Sequence, residues 1–339
     1  MNSRLYCYRF YGINLQINRK LTQFTALPSH DSCDLKVNLA RLNSQQKSKF
    51  LEWNGLAWEV IPQSDAVPQC YLAKTVQHTQ TYYRFRRQFG REFVEYIFNS
   101  QGDRVWGYYS AEILLQDAIS MLLGFVLGNV IRLRGYLTFH ASAIGVGDRA
   151  ILLTGDSGAG KSTTAAALSE RGCTILADDI AVLDQREGRY WVQPGYPCLR
   201  LFPESVAAFG TSCDRLTKVS PFGSKRYLDL APDNAGKRQF QTRPLSLAAV
   251  YIMGQRDDRR DRSTVESLTS ASAMTQLVKS VYGSCFLDKQ QRLEEFKQLA
   301  TLTRKIPVRQ LSRADSLQNI AQLCELIIND AESLCIHTF

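Results

Sequence analysis

The octapeptide Gly155-Asp156-Ser157-Gly158-Ala159-Gly160-Lys161-Ser162 stands between an apolar run, AILLT at 150–154, and an alanine-rich stretch, TTAAALSERG at 163–172. Strand, glycine-rich turn and helix in that order give a GxxxxGK[ST] motif the context on which its physical meaning depends. A polyphosphate packs several negative charges together, so the loop that holds it must bring many N–H donors close at once. Glycine allows that approach because it has no Cβ. The helix starting near Lys161 aims unsatisfied N–H groups and its positive dipole end at the same anion. Lys161 is expected on the β- and γ-phosphates and Ser162 on magnesium, with the rest of the loop and Thr163 around the phosphate oxygens. Such an element commits the chain to α/β structure around it and to nucleotide binding.

Gly172 ends the helix, and TILA at 174–177 leads into Asp178 and Asp179, the first of them seventeen positions after Lys161. If this strand runs parallel to the loop strand, its C-terminal end reaches the mouth where open α/β sheets bind ligands. Magnesium takes oxygen ligands, commonly one or two carboxylates beside phosphate oxygens, so one of the pair is expected on the metal, directly or through water. Successive strand residues point oppositely, which leaves the other carboxylate free to take a proton from an attacking hydroxyl. An isolated acid pair would read as a polar turn or a helix cap; the nearby loop favours the metal-and-base assignment. His140 closes the strand from Leu137, one hairpin before the loop. It is either a satisfied core histidine or a partner of Asp179 or of a phosphate.

At 339 residues the chain is long enough for two domains of about 150 residues each. Residues 1–110, with strands about turns at Gly12 and Gly90, read as a β-rich domain that would bind or position an acceptor. Residues 111–134 read as a linking helix, 135–310 as the α/β catalytic domain and 311–339 as a C-terminal helix, with two helices expected near 270–304 and 315–335. Lys plus Arg total 41 against 32 Asp plus Glu, and the resulting +9 suits an anionic ligand without selecting one. In the basic region 217–247, Lys225, Arg226, Lys237, Arg238 and Arg243 are candidates to supply charge to a transferring phosphoryl group, a solvated loop being the alternative.

Nine scattered cysteines without a CxxC pair and only four histidines argue for reduced thiols and against structural zinc. The first twenty residues lack the unbroken apolar core of a signal peptide, so a cytoplasmic protein is expected. The apolar run Ile119–Ile131 is short of the roughly twenty residues a membrane span needs and is expected to be a buried helix. TYYRFRRQFGR at 81–91 interleaves aromatic and basic residues, but its period-two alternation is that of a half-buried strand, so no nucleic-acid partner is expected.

HASAIGVGDRAILLTGDSGAGKSTTAAALSERGCTILADDIAVLD, residues 140–184, resembles the catalytic core of HPr kinase/phosphorylase, a bacterial serine kinase family whose phosphate loop is related to that of phosphoenolpyruvate carboxykinases. Four features carry the resemblance in order: a histidine ending a strand, the phosphate loop, a short helix and an Asp-Asp pair soon after. Weaker likeness extends through PGYPCLRLFPES, so that about 135–205 is covered. The resemblance implies an α/β fold, a P-loop kinase core of the HPr kinase type with a smaller β-rich N-terminal domain. It implies ATP and Mg2+, with Lys161 and Ser162 on phosphate and metal, Asp178 on the metal, Asp179 as base and His140 beside it.

The family's Leu-Glu-Ile-Arg-Gly run is absent after Asp179, and Glu204 in LFPES is its candidate acidic substitute. The segment YRFYGINLQIN looks instead like that of HPr-kinase-like proteins associated with peptide natural products, including lasso-peptide kinases that modify a C-terminal serine. The implied activity is transfer of a γ-phosphoryl group to a serine of a peptide or small protein. A small-molecule hydroxyl, or a regulatory role that binds ATP without transfer, are the alternatives. The chain is short for a carboxykinase. The family forms hexamers, but its assembly surfaces are outside the matched segment, which leaves a homo-oligomer open.

Overall fold

The computed structural model describes residues 4–28, 32–42, 53, 55–61, 70–220, 223–230, 239–257, 262–283, 286–314 and 319–336. The chain is mixed α/β and divides into two compact units, Met1–Gly135 with Gly283–Asp288, and Tyr136–Tyr282 with Lys289–Phe339.

The first unit holds eight strands among the described residues: β1 (Tyr6–Phe10), β2 (Ile13–Ile17), β3 (Leu35–Arg41), β4 (Glu59–Val60), β5 (Cys70–Gln77), β6 (Gln80–Phe89), β7 (Glu92–Asn99) and β8 (Arg104–Tyr109). Their order is β1-β2-β3-β8-β7-β6-β5-β4. The hairpin at Gly12 forms because Tyr11 and Gly12 both adopt positive φ (56° and 77°), the twist a two-residue turn needs. The β6–β7 pairing about Gly90 follows the expected turn. The parallel pairings of β3 with β2 and β8 have no local signature in the sequence.

The helical run Leu115–Leu133 continues past both ends of Ile119–Ile131 and is long and apolar enough, by length and composition, to cross a membrane. Most of it is buried, with Ala118, Leu122, Leu123, Val126, Val130 and Ile131 at 1% exposure or less. Its middle turn, Leu122–Val126, is π-helical, closed by Leu127 N–H donating to Leu122 O.

The second unit is built on β9 (Leu137–Phe139), β10 (Ala141–Val146), β11 (Arg149–Thr154), β12 (Thr174–Ala177), β13 (Ala181–Arg186), β14 (Arg189–Gln193), β15 (Cys198–Leu201), β16 (Arg226–Asp229), β17 (Gln239–Phe240), β18 (Leu245–Asp257), β19 (Thr264–Ser267) and β20 (Val308–Ala314). The main sheet runs β17-β12-β10-β11-β18-β14-β13-β9, and β20 pairs with the later part of β18. The strand from Leu137 ends at Phe139, directly before His140: β9 pairs with β13, and β10 with β11 and β12, so His140 sits where the chain changes neighbours. β12 is not paired with β11. Both run antiparallel to β10, which lies between them, and so both point the same way.

The helix Lys161–Ser169 buries Ala165, Ala166, Ala167 and Leu168 at 1% exposure or less in a core that includes Ile144, Ile151, Leu153 and Ile175; four successive residues span a full turn, so the helix is packed on more than one side. Alanines bring a helix backbone close to a sheet. The helix Ile320–Ile336 reaches the same core through Leu323, Cys324, Ile327 and Ala331, spaced for one helical face. The region 270–304 contains two helices, Ser270–Ser280 and Lys289–Lys305, and β20 occupies the start of the stretch expected as a C-terminal helix.

Candidate active site

The glycine-rich loop leaves β11 at Gly155, whose φ is 142°. A Cβ there would lie 2.6 Å from the Met253 carbonyl oxygen on β18, so no side chain fits beside that strand. Gly160, at φ 84°, is the left-handed N-cap from which the helix turns away. Lys161, the first helical residue, is buried, and its Nζ donates to the carbonyl oxygens of Gly155 (2.8 Å) and Asp156 (3.0 Å). The ammonium is thereby held across the loop, at the positive end of the helix. Burial lowers its pKa, against the opposing pull of Asp178.

Asp178 follows β12 and is 2% exposed. Its Oδ1 accepts from Ser142 Oγ on β10 (2.6 Å) and Ser162 Oγ on the helix (2.9 Å), and its Oδ2 accepts from the Arg200 main-chain N–H on β15 (2.8 Å). Asp179 was expected to point away from its neighbour by strand alternation. Instead the strand has ended at Ala177 and Asp179 takes a left-handed backbone (φ 72°), which lets both acids line one cavity. Its Oδ2 accepts from Arg200 Nη1 at 2.6 Å, and His140 Nδ1 lies 2.9 Å from its carbonyl oxygen and 3.7 Å from its Oδ1. Burial works to raise the Asp179 pKa, but Arg200, His140, Lys225 and Lys161 together hold it below the usual carboxylate range.

The cavity has a volume of about 260 Å³. Ser157, Gly158, Gly160 and Thr163 also line it, and Thr163 Oγ1 is 2.8 Å from Ser205 Oγ. Asp156 is exposed and Ala159 is buried, and neither lines the cavity. Glu204, in the first turn of the helix Pro203–Ala208, and Lys225 reach the cavity, with the Lys225 ammonium 5.0 Å from the centre of the Phe202 ring. Arg226 and Arg243 do not line it: the guanidinium of Arg226 donates to Ser224 O, and Arg243 is exposed. Lys237 and Arg238 lie outside the described residues.

Sequence reasoning missed Arg200. Its backbone holds Asp178, its guanidinium holds Asp179, and the rings of Tyr196 and Tyr227 flank it at 5.6 Å each. Its Nε and Nη2 are buried without a hydrogen-bond partner among the described residues. The available signal was a lone arginine in the apolar run CLRLF, since a charge is placed in such a strand only where it is paired.

No group of three or more His, Cys, Asp and Glu able to hold a metal occurs among the described residues. A divalent ion here would need ligands from outside the chain as well. Ser162 Oγ and Asp178 Oδ1, two hard oxygens already 2.9 Å apart, fit Mg2+ completed by phosphate oxygens and water.

No protein-family model matches the chain, and no curated protein matches it. Among solved structures it is similar to the Hpr(Ser) kinase/phosphatase from Coxiella burnetii at a TM-score of 0.31 and 12% identity, over 58% of this chain and 97% of that one. The chemistry of this cavity therefore has to be read from its own residues.

Proposed function

We propose that the chain is a cytoplasmic, ATP- and Mg2+-dependent kinase that moves the γ-phosphoryl group to a hydroxyl, with a serine of a peptide or small protein as the acceptor class. One observation carries this reading: a glycine-rich loop with its lysine and serine, two aspartates, a histidine and a buried arginine all border one cavity of a size that suits a phosphate tail. A protein that only binds nucleotide has no use for the second acid and the histidine. The resemblance of residues 140–184 to HPr kinase supports the same reading, and that of the N-terminal strands to lasso-peptide kinases supports a role in peptide natural-product biosynthesis.

The loop amides and Lys161 would bind the β- and γ-phosphates, Lys161 exchanging its two carbonyl partners for phosphate oxygens. Ser162 and Asp178 would hold the magnesium ion, which when bound screens charge on the phosphates. Ser142 and the Arg200 N–H fix the Asp178 carboxylate from behind. Lys225 adds positive charge at the cavity. Asp179 and His140 face the acceptor hydroxyl and orient it for in-line attack.

The test is incubation with γ-labelled ATP, Mg2+ and a panel of serine-containing peptides, free serine and simple alcohols, with Lys161→Ala and Asp179→Asn as controls. Label should move to a hydroxyl in wild type and fall by about 10²-fold or more in each variant. A protein that binds Mg·ATP yet labels none of these acceptors refutes the kinase reading.

A further inference from the structure

The chain from Arg215 to Leu228 holds Arg215, Lys218, Lys225 and Arg226 and no acid. Folding draws three of these cations together. Val219 N–H donates to Lys225 O and Tyr227 N–H to Thr217 O, both at 2.9 Å, so residues 217–219 lie antiparallel to 225–227. The two bonds flank the pair Lys218 and Arg226, which face each other without exchanging a main-chain bond. At such a register cross-strand side chains come closest, with Cα atoms about 4.5 Å apart.

Two like charges directly opposite one another repel and destabilise the ladder that carries them. A carboxylate beside either would remove that cost. Among the described residues neither Lys218 nor Arg226 pairs with one, and the guanidinium of Arg226 donates to Ser224 O, a neutral acceptor. Lys218 is exposed and Arg226 half-buried, so both are open to an anion from solution.

The place of this doublet selects its partner. β16 starts at Arg226, and Lys225, one residue earlier, lines the phosphate-loop cavity. Lys218 and Arg226 do not line it, so they lie outside the volume assigned to a phosphate tail, whose charge the loop and Lys161 already meet. At the same rim the Phe202 ring is 43% exposed and sits 5.0 Å from the Lys225 ammonium, which adds an apolar contact. An anion that meets all of these groups has to extend from the cavity across the rim, as the chain flanking an acceptor serine would. Three cations are few for a nucleic acid, whose binding commonly draws on about 6–10 phosphate contacts.

We propose that the paired segments 217–219 and 225–227 dock the acceptor through acidic residues flanking its serine, so that the substrate class is an acidic peptide segment. This rests on the phosphotransfer reading above and concerns which hydroxyl is presented, not the chemistry done on it. A carboxylate between Lys218 and Arg226 turns one repulsion into two attractions.

The test uses the full chain and three serine peptides of equal length, flanked by Asp and Glu, by Ala or by Lys, all with amidated C-termini so that only side-chain charge differs. Wild type should show a KM for the acidic peptide roughly tenfold below that for the alanine peptide, an advantage that shrinks as salt rises. The double variant Lys218→Gln, Arg226→Gln should erase that advantage with kcat and the KM for ATP little changed. The double variant Lys218→Glu, Arg226→Glu should move the preference to the lysine peptide, a gain that misfolding cannot produce. Fluorescence anisotropy of the labelled acidic peptide, competed by unlabelled peptide or by a single-stranded oligonucleotide, reads docking apart from transfer. Equal KM for the acidic and alanine peptides, a preference untouched by both double variants, or an oligonucleotide held by these two residues more tightly than the peptide overturns the proposal. A wild type that binds the acidic peptide through Lys218 and Arg226 yet labels no hydroxyl sinks the kinase reading and keeps the acidic-peptide surface. One that labels all three peptides alike sinks the surface and keeps the kinase reading.

Discussion

Replacing Arg200 with Met removes a guanidinium whose side chain is 9% exposed from a carboxylate that is 16% exposed, and leaves the Arg200 main-chain bond to Asp178 in place. Deleting one partner of a buried ion pair costs about 3–5 kcal/mol, mostly because the other charge is left uncompensated. Asp179 keeps some solvent and the positive potential of Lys225 and Lys161, which puts the expected loss near the lower end, about 3 kcal/mol. Methionine retains contact with the Tyr196 and Tyr227 rings through its sulfur, so lost packing adds little. For a unit of about 200 residues each kcal/mol moves Tm by roughly 2–4 °C, giving a loss of about 6–12 °C. The assay is calorimetry on Arg200→Met, Asp179→Asn and the double variant. The double should recover at least about 2 kcal/mol relative to the sum of the singles. Additivity within about 0.5 kcal/mol, or a Tm loss for Arg200→Met under about 2 °C, would show that the pair is not the element holding Asp179.

Gly155→Ala forces a methyl group against the Met253 carbonyl oxygen, and should destabilise by about 1–3 kcal/mol while weakening ATP binding, measured by urea denaturation and calorimetric titration; unchanged affinity would mean the loop does not depend on that approach. Asp178→Ala leaves two hydroxyls and an N–H without their shared acceptor, and should abolish the Mg2+ dependence of ATP affinity while Asp178→Asn retains part of the fold stability; a Mg2+ response intact in both would remove Asp178 from the metal. Because burial depresses the His140 pKa, the native chain binds fewer protons there than the unfolded chain, so this contribution is complete above the ordinary histidine value of about 6.5 and is lost as pH falls through the folded value. Urea denaturation across that window should give wild type a steeper loss of stability toward acid than His140→Gln; equal slopes would contradict it.

What could be read in advance was what local chemistry dictates. The glycine spacing, Lys161 and Ser162 follow from the needs of a polyphosphate, and the hairpins at Gly12 and Gly90 follow from turn geometry and alternation. Asp178 and Asp179 could be assigned to the loop's mouth because β12 runs in the direction of β11, although the strand between them was not anticipated. Arg200 escaped notice because its meaning depends on an acid 21 positions earlier, and no local periodicity links the two. Arg226 resembles Lys225 in composition yet belongs to a strand pairing, and its neighbour reaches the cavity. Charge alone could not separate them, since side-chain direction is set by the register of β15 with β16.

The three buried alanines of the helix Lys161–Ser169 act as a spacer gauge. Three successive residues face three directions on a helix, so their methyl groups together set how closely its neighbours approach it, and its leading turn carries Lys161 and Ser162 at the position this fixes. Enlarging Ala166 to valine would raise the whole platform by a fraction of an ångström, and the shift would register as a change in the grip on the ligand before it registered as unfolding.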